Sequence, residues 1–85
     1  MADSHLDQAW SFFHDGDHQR AIQLLRQAVA EGVNPGLAEY RLGICFRSIG
    51  RPEDAIAHFL ESARIEPDSA WTWFQIGKEL PEIQP

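Results

Sequence analysis

The sequence predicts an all-α chain, an α-solenoid of about five short helices arranged as helix-turn-helix hairpins. Three observations lead there. Residue types recur at a spacing of 34: Gly16 and Gly50, Ala21 and Ala55, Ile22 and Ile56, Phe12 and Phe46, Leu25 and Phe59, Gly43 and Gly77. Glycine or proline stands wherever a helical pattern stops. Between those stops, apolar residues return every three or four positions, as on a helix with one buried face. Agreement of Gly, Ala, Ile and Phe in one register needs a separate coincidence for each, so the period marks a repeat array.

The elements follow in order. Helix one is expected over about Asp3 to Asp15, with Asp3 or Ser4 capping its free N–H groups. Its apolar stripe is Leu6, Ala9, Trp10, Phe12 and Phe13. Gly16 ends it and Asp17 caps helix two, about His18 to Glu31. Ala21, Ile22, Leu24, Leu25, Ala28 and Val29 form that helix's buried face, with alanine where two helices must come close. Gly32 stops it. In the link Gly32-Val33-Asn34-Pro35-Gly36 the proline falls two positions later than Pro67 does in the next unit. Because the register survives, this predicts an altered turn and not a shifted array. Asn34 reads as a cap, followed by Pro35 at the first helical position, where a missing N–H costs nothing.

Helix three is expected over about Pro35 to Ile49, with Gly43 allowing close packing and Gly50 at its end. Pro52, Glu53 and Asp54 suit the start of helix four: the proline by its fixed φ, the acids by the helix dipole. That helix runs to about Ile65, and Pro67 closes it. Asp68 or Ser69 then caps helix five, about Ser69 to Leu80, before Pro81.

Within this frame, the stretch Tyr40 to Pro67 resembles the tetratricopeptide repeat, a 34-residue helical hairpin. Leu42-Gly43, Phe46, Gly50, Ala55, Phe59 and Pro67 stand in the places of that family's signature. Ser62 replaces the last alanine, with Ala63 beside it. The opening aromatic is displaced to Tyr40, where the register puts Glu39. The resemblance implies a right-handed solenoid in a single domain over 1–85: one repeat over about 2–35, a second over about 36–69, and a capping helix over about 69–80. Solenoid ends need a cap because a repeat cannot bury both faces alone.

Composition narrows the function classes. The chain has 85 residues, 44% hydrophobic and 11% aromatic, enough for a small folded domain. Its formal charge of −6 argues against nucleic acid, which needs clustered Lys and Arg, and against anionic membrane surfaces. Cys45 is the one cysteine, so no internal disulfide forms. Flanked by Ile44 and Phe46, it reads as a small core residue. MADSHLDQ lacks a signal-peptide pattern, and no apolar run approaches the ~20 residues of a membrane span. The expected location is cytoplasmic.

The resemblance also implies a site. In the family, the first helix of each unit lines a concave groove. In this register helix one offers Leu6, Trp10, Phe13 and His14. Helix three offers Tyr40, Arg41, Ile44, Arg47 and Ser48, and helix five offers Trp71, Phe74, Gln75 and Lys78. Ala9, Phe12, Leu42, Gly43, Phe46, Trp73, Ile76 and Gly77 face the core. Chaperone-binding members use Lys and Asn to clamp a terminal carboxylate. The matching places here hold Leu6, Trp10 and Arg41, so that clamp is absent apart from Arg41. What remains is an aromatic and aliphatic groove with Arg41, Arg47 and Lys78 as its cations.

No catalytic pattern competes with this. His14 and His18 are four apart but separated by Gly16, with no third metal ligand nearby. Asp54 and His58 read as a solvated pair on the exposed face of helix four. Ser11 and Ser48 have no His–Asp support, and the glycines mark helix ends or contacts, not a phosphate loop. No cofactor is implied. The expected function is a protein–protein interaction module, an adaptor or scaffold binding an apolar or amphipathic peptide or helix. The alternative is a self-assembling repeat protein that homodimerises through its groove or its C-terminal helix. A regulatory segment of a larger enzyme would require the chain to be a fragment.

Overall fold

The computed structural model describes residues 4–79, apart from the side chains of Ser4, Trp71, Lys78 and Glu79. Five helices follow one another: α1 (Ser4–His14), α2 (His18–Glu31), α3 (Pro35–Ser48), α4 (Pro52–Ile65) and α5 (Ala70–Glu79). No strand occurs among the described residues. Each helix packs mainly on the next in the chain, so the layers stack in sequence order as a helical solenoid. Both ends of α4 lie 34 positions after those of α2. Among the described residues no helix is long and apolar enough to cross a membrane. The expected caps Asp3 and the stop at Pro81, with Leu80 before it, lie outside the described residues.

The turns show why the register holds. The first three helices end in the same way. Gly16, Gly32 and Gly50 all have positive φ. At the end of α3, Gly50 N–H donates to the Arg47 carbonyl (3.1 Å) and Arg51 N–H to the Phe46 carbonyl (2.9 Å). The same pair of bonds closes α1 and α2. It satisfies the last carbonyls through a left-handed residue, which glycine adopts without a Cβ clash. Asp17 caps α2 as expected, accepting from Arg20 N–H at 3.2 Å.

The α2–α3 link is indeed an altered turn, but Asn34 works differently from the expectation. It adopts the left-handed conformation itself (φ 43°, ψ 57°) and makes no side-chain cap bond. Asparagine is the non-glycine residue that best tolerates this region. A second left-handed residue, two after Gly32, absorbs the extra length before Pro35. The α4–α5 turn has neither: Glu66 ends α4 with φ −130°, its N–H bonded to the Ser62 carbonyl, and Pro67 follows.

The core runs through all five helices as Leu6, Ala9, Ala21, Ile22, Leu25, Ala28, Ala38, Leu42, Cys45, Phe46, Ala55, Phe59, Ala63 and Ile76. Phe59 is fully buried at its centre. It fits because Gly43 has no side chain: a Cβ there would lie 2.4 Å from a Phe59 ring carbon. Ser62, standing where the family pattern has alanine, is also buried. Its hydroxyl donates to the Gly36 carbonyl of α3 (2.8 Å) and lies 3.4 Å from the Thr72 hydroxyl of α5. One small polar side chain thus ties three helices together.

Candidate functional site: an aromatic wall across alternate helices

The inner faces of α1, α3 and α5 adjoin through side chains. On α1, Trp10 and Phe13 are one turn apart and stack in parallel, with ring centroids 4.9 Å apart and planes 8° apart. The Arg41 guanidinium of α3 lies over the Trp10 ring at 4.6 Å. Arginine over tryptophan is the favoured cation–π pair, and the planar guanidinium also stacks. Burial lowers the pKa of Arg41 from its ordinary value, and the Asp7 carboxylate opposes the shift. The group stays cationic, held between an aromatic face and an acid.

The α3–α5 junction is polar. Arg47 of α3 donates to the Gln75 side-chain carbonyl. Gln75 in turn donates from its amide to the Tyr40 hydroxyl at 3.4 Å. The Tyr40 ring leans on Phe59 at 5.7 Å, which joins the wall to the core. Gln75 uses both ends of its amide, so it holds two α3 side chains from one position on α5.

The expected groove residues therefore divide. Trp10, Phe13, Tyr40, Arg41, Ile44 and Arg47 are half-buried, apolar bodies partly sunk in the fold with one side turned outward. Phe74 is 65% exposed. Leu6 is a correction: at 2% exposure it belongs to the core and offers a partner nothing. The apolar stripe of α1 is wider than one groove-facing edge, so its first leucine is enclosed against α2. The side chains of Trp71 and Lys78 lie outside the described residues.

Two further expectations change. Trp73 does not face the core. It is 51% exposed, and its indole N–H donates to the Pro67 carbonyl at 3.0 Å. Nor do His58 and Asp54 form a solvated pair. His58 is stacked flat on Phe46 (5.1 Å, 2°) and hydrogen-bonded through Nδ1 to Glu39 at 2.7 Å. Asp54 pairs with Arg51 instead. Glu39, the residue standing where the family's aromatic belongs, is nearly enclosed and meets a histidine from the facing helix. A 34-residue register does not reveal such a pair, because neither partner has a counterpart in the first unit: Glu39 corresponds to His5, and His58 to Leu24.

His14 and His18 both pack edge-on to Phe13. Among the described residues no group of three or more His, Cys, Asp or Glu could hold a metal ion. A depression of ≈ 260 Å³ between α1 and α2 is lined by Gln8, Phe12, Arg20, Gln23, Leu24 and Gln27. It shares no residue with the aromatic wall, and its polar lining is mostly amides.

Comparison with known proteins agrees with this architecture. No curated protein matches the chain. The family model for the tetratricopeptide repeat matches residues 6–70, both hairpins up to the first residue of α5. Such repeats form a non-catalytic fold that generally mediates protein–protein interaction. With both hairpins in one register and the match spanning most of its length, the chain belongs to the tetratricopeptide repeat family.

Proposed function

We propose that this protein is an adaptor whose concave wall, formed by α1, α3 and α5, binds an apolar or amphipathic peptide or helix. The observation that carries the reading is the continuity of the wall. Arg41 on Trp10 joins α1 to α3, and Gln75 between Tyr40 and Arg47 joins α3 to α5. Aromatic and arginine side chains are the ones that most often carry binding energy. Here they are already held by neighbours, which reduces the ordering cost of binding. Apolar residues of a ligand would lie along Trp10, Tyr40 and Ile44, and acidic groups on it would meet Arg41 and Arg47.

The test is a selection of displayed peptides on the immobilised protein, followed by titration of an enriched peptide. A Trp10→Ala/Tyr40→Ala variant should bind that peptide at least about tenfold more weakly, since each ring is a candidate anchor worth over ~1 kcal/mol. Equal affinity for the wild type and the folded variant would place binding elsewhere.

A further inference from the structure

The two hairpins treat equivalent rings differently. In the second, Phe46 is covered. His58 of α4 lies flat on its ring, with centroids 5.1 Å apart and planes 2° apart. The Arg51 guanidinium stands 5.5 Å from the ring centroid, and Arg26 of α2 reaches it at 5.9 Å. Phe46 is buried as a result. The register-equivalent ring of the first hairpin is Phe12. An arginine lies over it too, Arg20 at 5.6 Å, although it comes from the position that corresponds to Asp54. The flat imidazole has no equivalent, because His58 corresponds to Leu24. A branched isobutyl group cannot lie flat on a ring. Beside Phe12 and Leu24 opens the depression of ≈ 260 Å³ between α1 and α2.

The mouth of this depression is more polar than the same place in the second hairpin. Gln8 stands where Leu42 is buried, Gln23 where Ala57 is, and Gln27 where Glu61 is. All three glutamines are exposed. Phe12 lies about two turns beyond Ser4, towards the α1–α2 turn, and all the lining residues are described.

Two features indicate the occupant. The first is the amides. A helix seated here, as α2 is seated on Phe46, would take three amides out of water with nothing to pair them. A small planar ring with its own donors and acceptors satisfies them while it stacks on Phe12. The second is charge. Arg20 already faces the Asp17 carboxylate at 3.4 Å, so its charge is balanced and the site suits a neutral ligand.

We propose that the depression binds a small neutral heteroaromatic ring bearing an amide-type hydrogen-bonding edge. The ring stacks on Phe12 as His58 stacks on Phe46. The amides of Gln8 and Gln23, each both donor and acceptor, read its edge. Gln27 donates to Glu31 at 3.4 Å, which leaves its carbonyl to accept from the ligand. The site shares no residue with the concave wall, so it stands apart from peptide binding.

Nicotinamide and adenine are the probes, since each joins an aromatic heterocycle to an amide-type edge. Titrated into the isotope-labelled full chain, at least one should shift the side-chain amide signals of Gln8, Gln23 and Gln27 saturably, with a Kd near ~1 mM. Cyclohexanecarboxamide keeps an amide but has no aromatic face, and should bind at least about tenfold more weakly. Leu24→His supplies the imidazole of the second hairpin from within and should abolish the shifts. Phe12→Leu keeps an apolar side chain at a half-buried position and should weaken binding at least about tenfold; it keeps the test decisive if Leu24→His does not fold. Trp10→Ala/Tyr40→Ala should bind the probes as the wild type does. No saturable shift with either probe overturns the proposal. So does equal binding of the saturated amide, undiminished binding in a folded Leu24→His or Phe12→Leu variant, or loss of binding in the wall variant. None of these outcomes bears on whether the wall binds peptide.

Discussion

Gly43 and Phe59 show how one missing side chain governs a helix pair. A Cβ at residue 43 would sit 2.4 Å from the Phe59 ring, which is fully enclosed and has nowhere to move. Alanine would gain roughly 1 kcal/mol in helix propensity, but overpacking a closed core costs about 1–3 kcal/mol. Gly43→Ala should therefore lower the urea midpoint. An unchanged or raised midpoint would contradict the socket.

Cys45 gives a pH prediction of its own. Burial raises the thiol from its ordinary 9.0 to about 11. Its folded pKa exceeds the unfolded one, so its contribution to stability is complete below pH 9 and is lost as pH rises from there through about 11. Between those values the folded thiol should resist disulfide reagents, while the unfolded chain reacts at once. Rapid labelling of the native protein near pH 9 would show the thiol to be accessible.

Among the elements, the helices and their order were legible in the sequence because helical periodicity and glycine stops are local signals. The bounds of α2 and α4 agree with the reading, and α3 differs by one residue. What was not legible lies between elements. Leu6 and Trp10 occupy one apolar stripe, and only packing against α2 decides that the first is enclosed and the second faces Arg41. Trp73 was expected in the core because the resemblance to the family turns its register position inward. Without a helix of the described chain over α5, that position stays open. The pairing of Glu39 with His58 joins two residues that hydropathy would leave in water.

The α2–α3 turn is the element whose chemistry can be separated most cleanly. Asn34 contributes a left-handed backbone and not a side-chain cap. A serine keeps the capping hydroxyl but tolerates that backbone poorly, so Asn34→Ser should destabilise by about 1 kcal/mol. Asn34→Gly should be close to neutral, because glycine enters the left-handed region freely. If thermal denaturation finds serine the milder change, the turn is held by a side-chain cap after all.

At the scale of the whole molecule, two hairpins and one further helix bring the same faces of alternate helices to one side. That placement requires the 34-residue register to survive an irregular turn, and it does. The two junctions of the wall, Arg41 on Trp10 and Gln75 between Tyr40 and Arg47, are of different chemistry, so a substitution at one should leave the other in place. The wall is rich in aromatic side chains and carries its cations against rings and an amide, and the proposed choice of an apolar segment rests on that character.

The most direct measurement is NMR mapping of a selected peptide on the labelled protein. The account predicts shift changes at Trp10, Tyr40, Arg41, Ile44 and Arg47 together, with Gln23 and Gln27 of α2 unmoved. Changes confined to the outer faces of α2 and α4, or scattered over residues that share no surface, would contradict it.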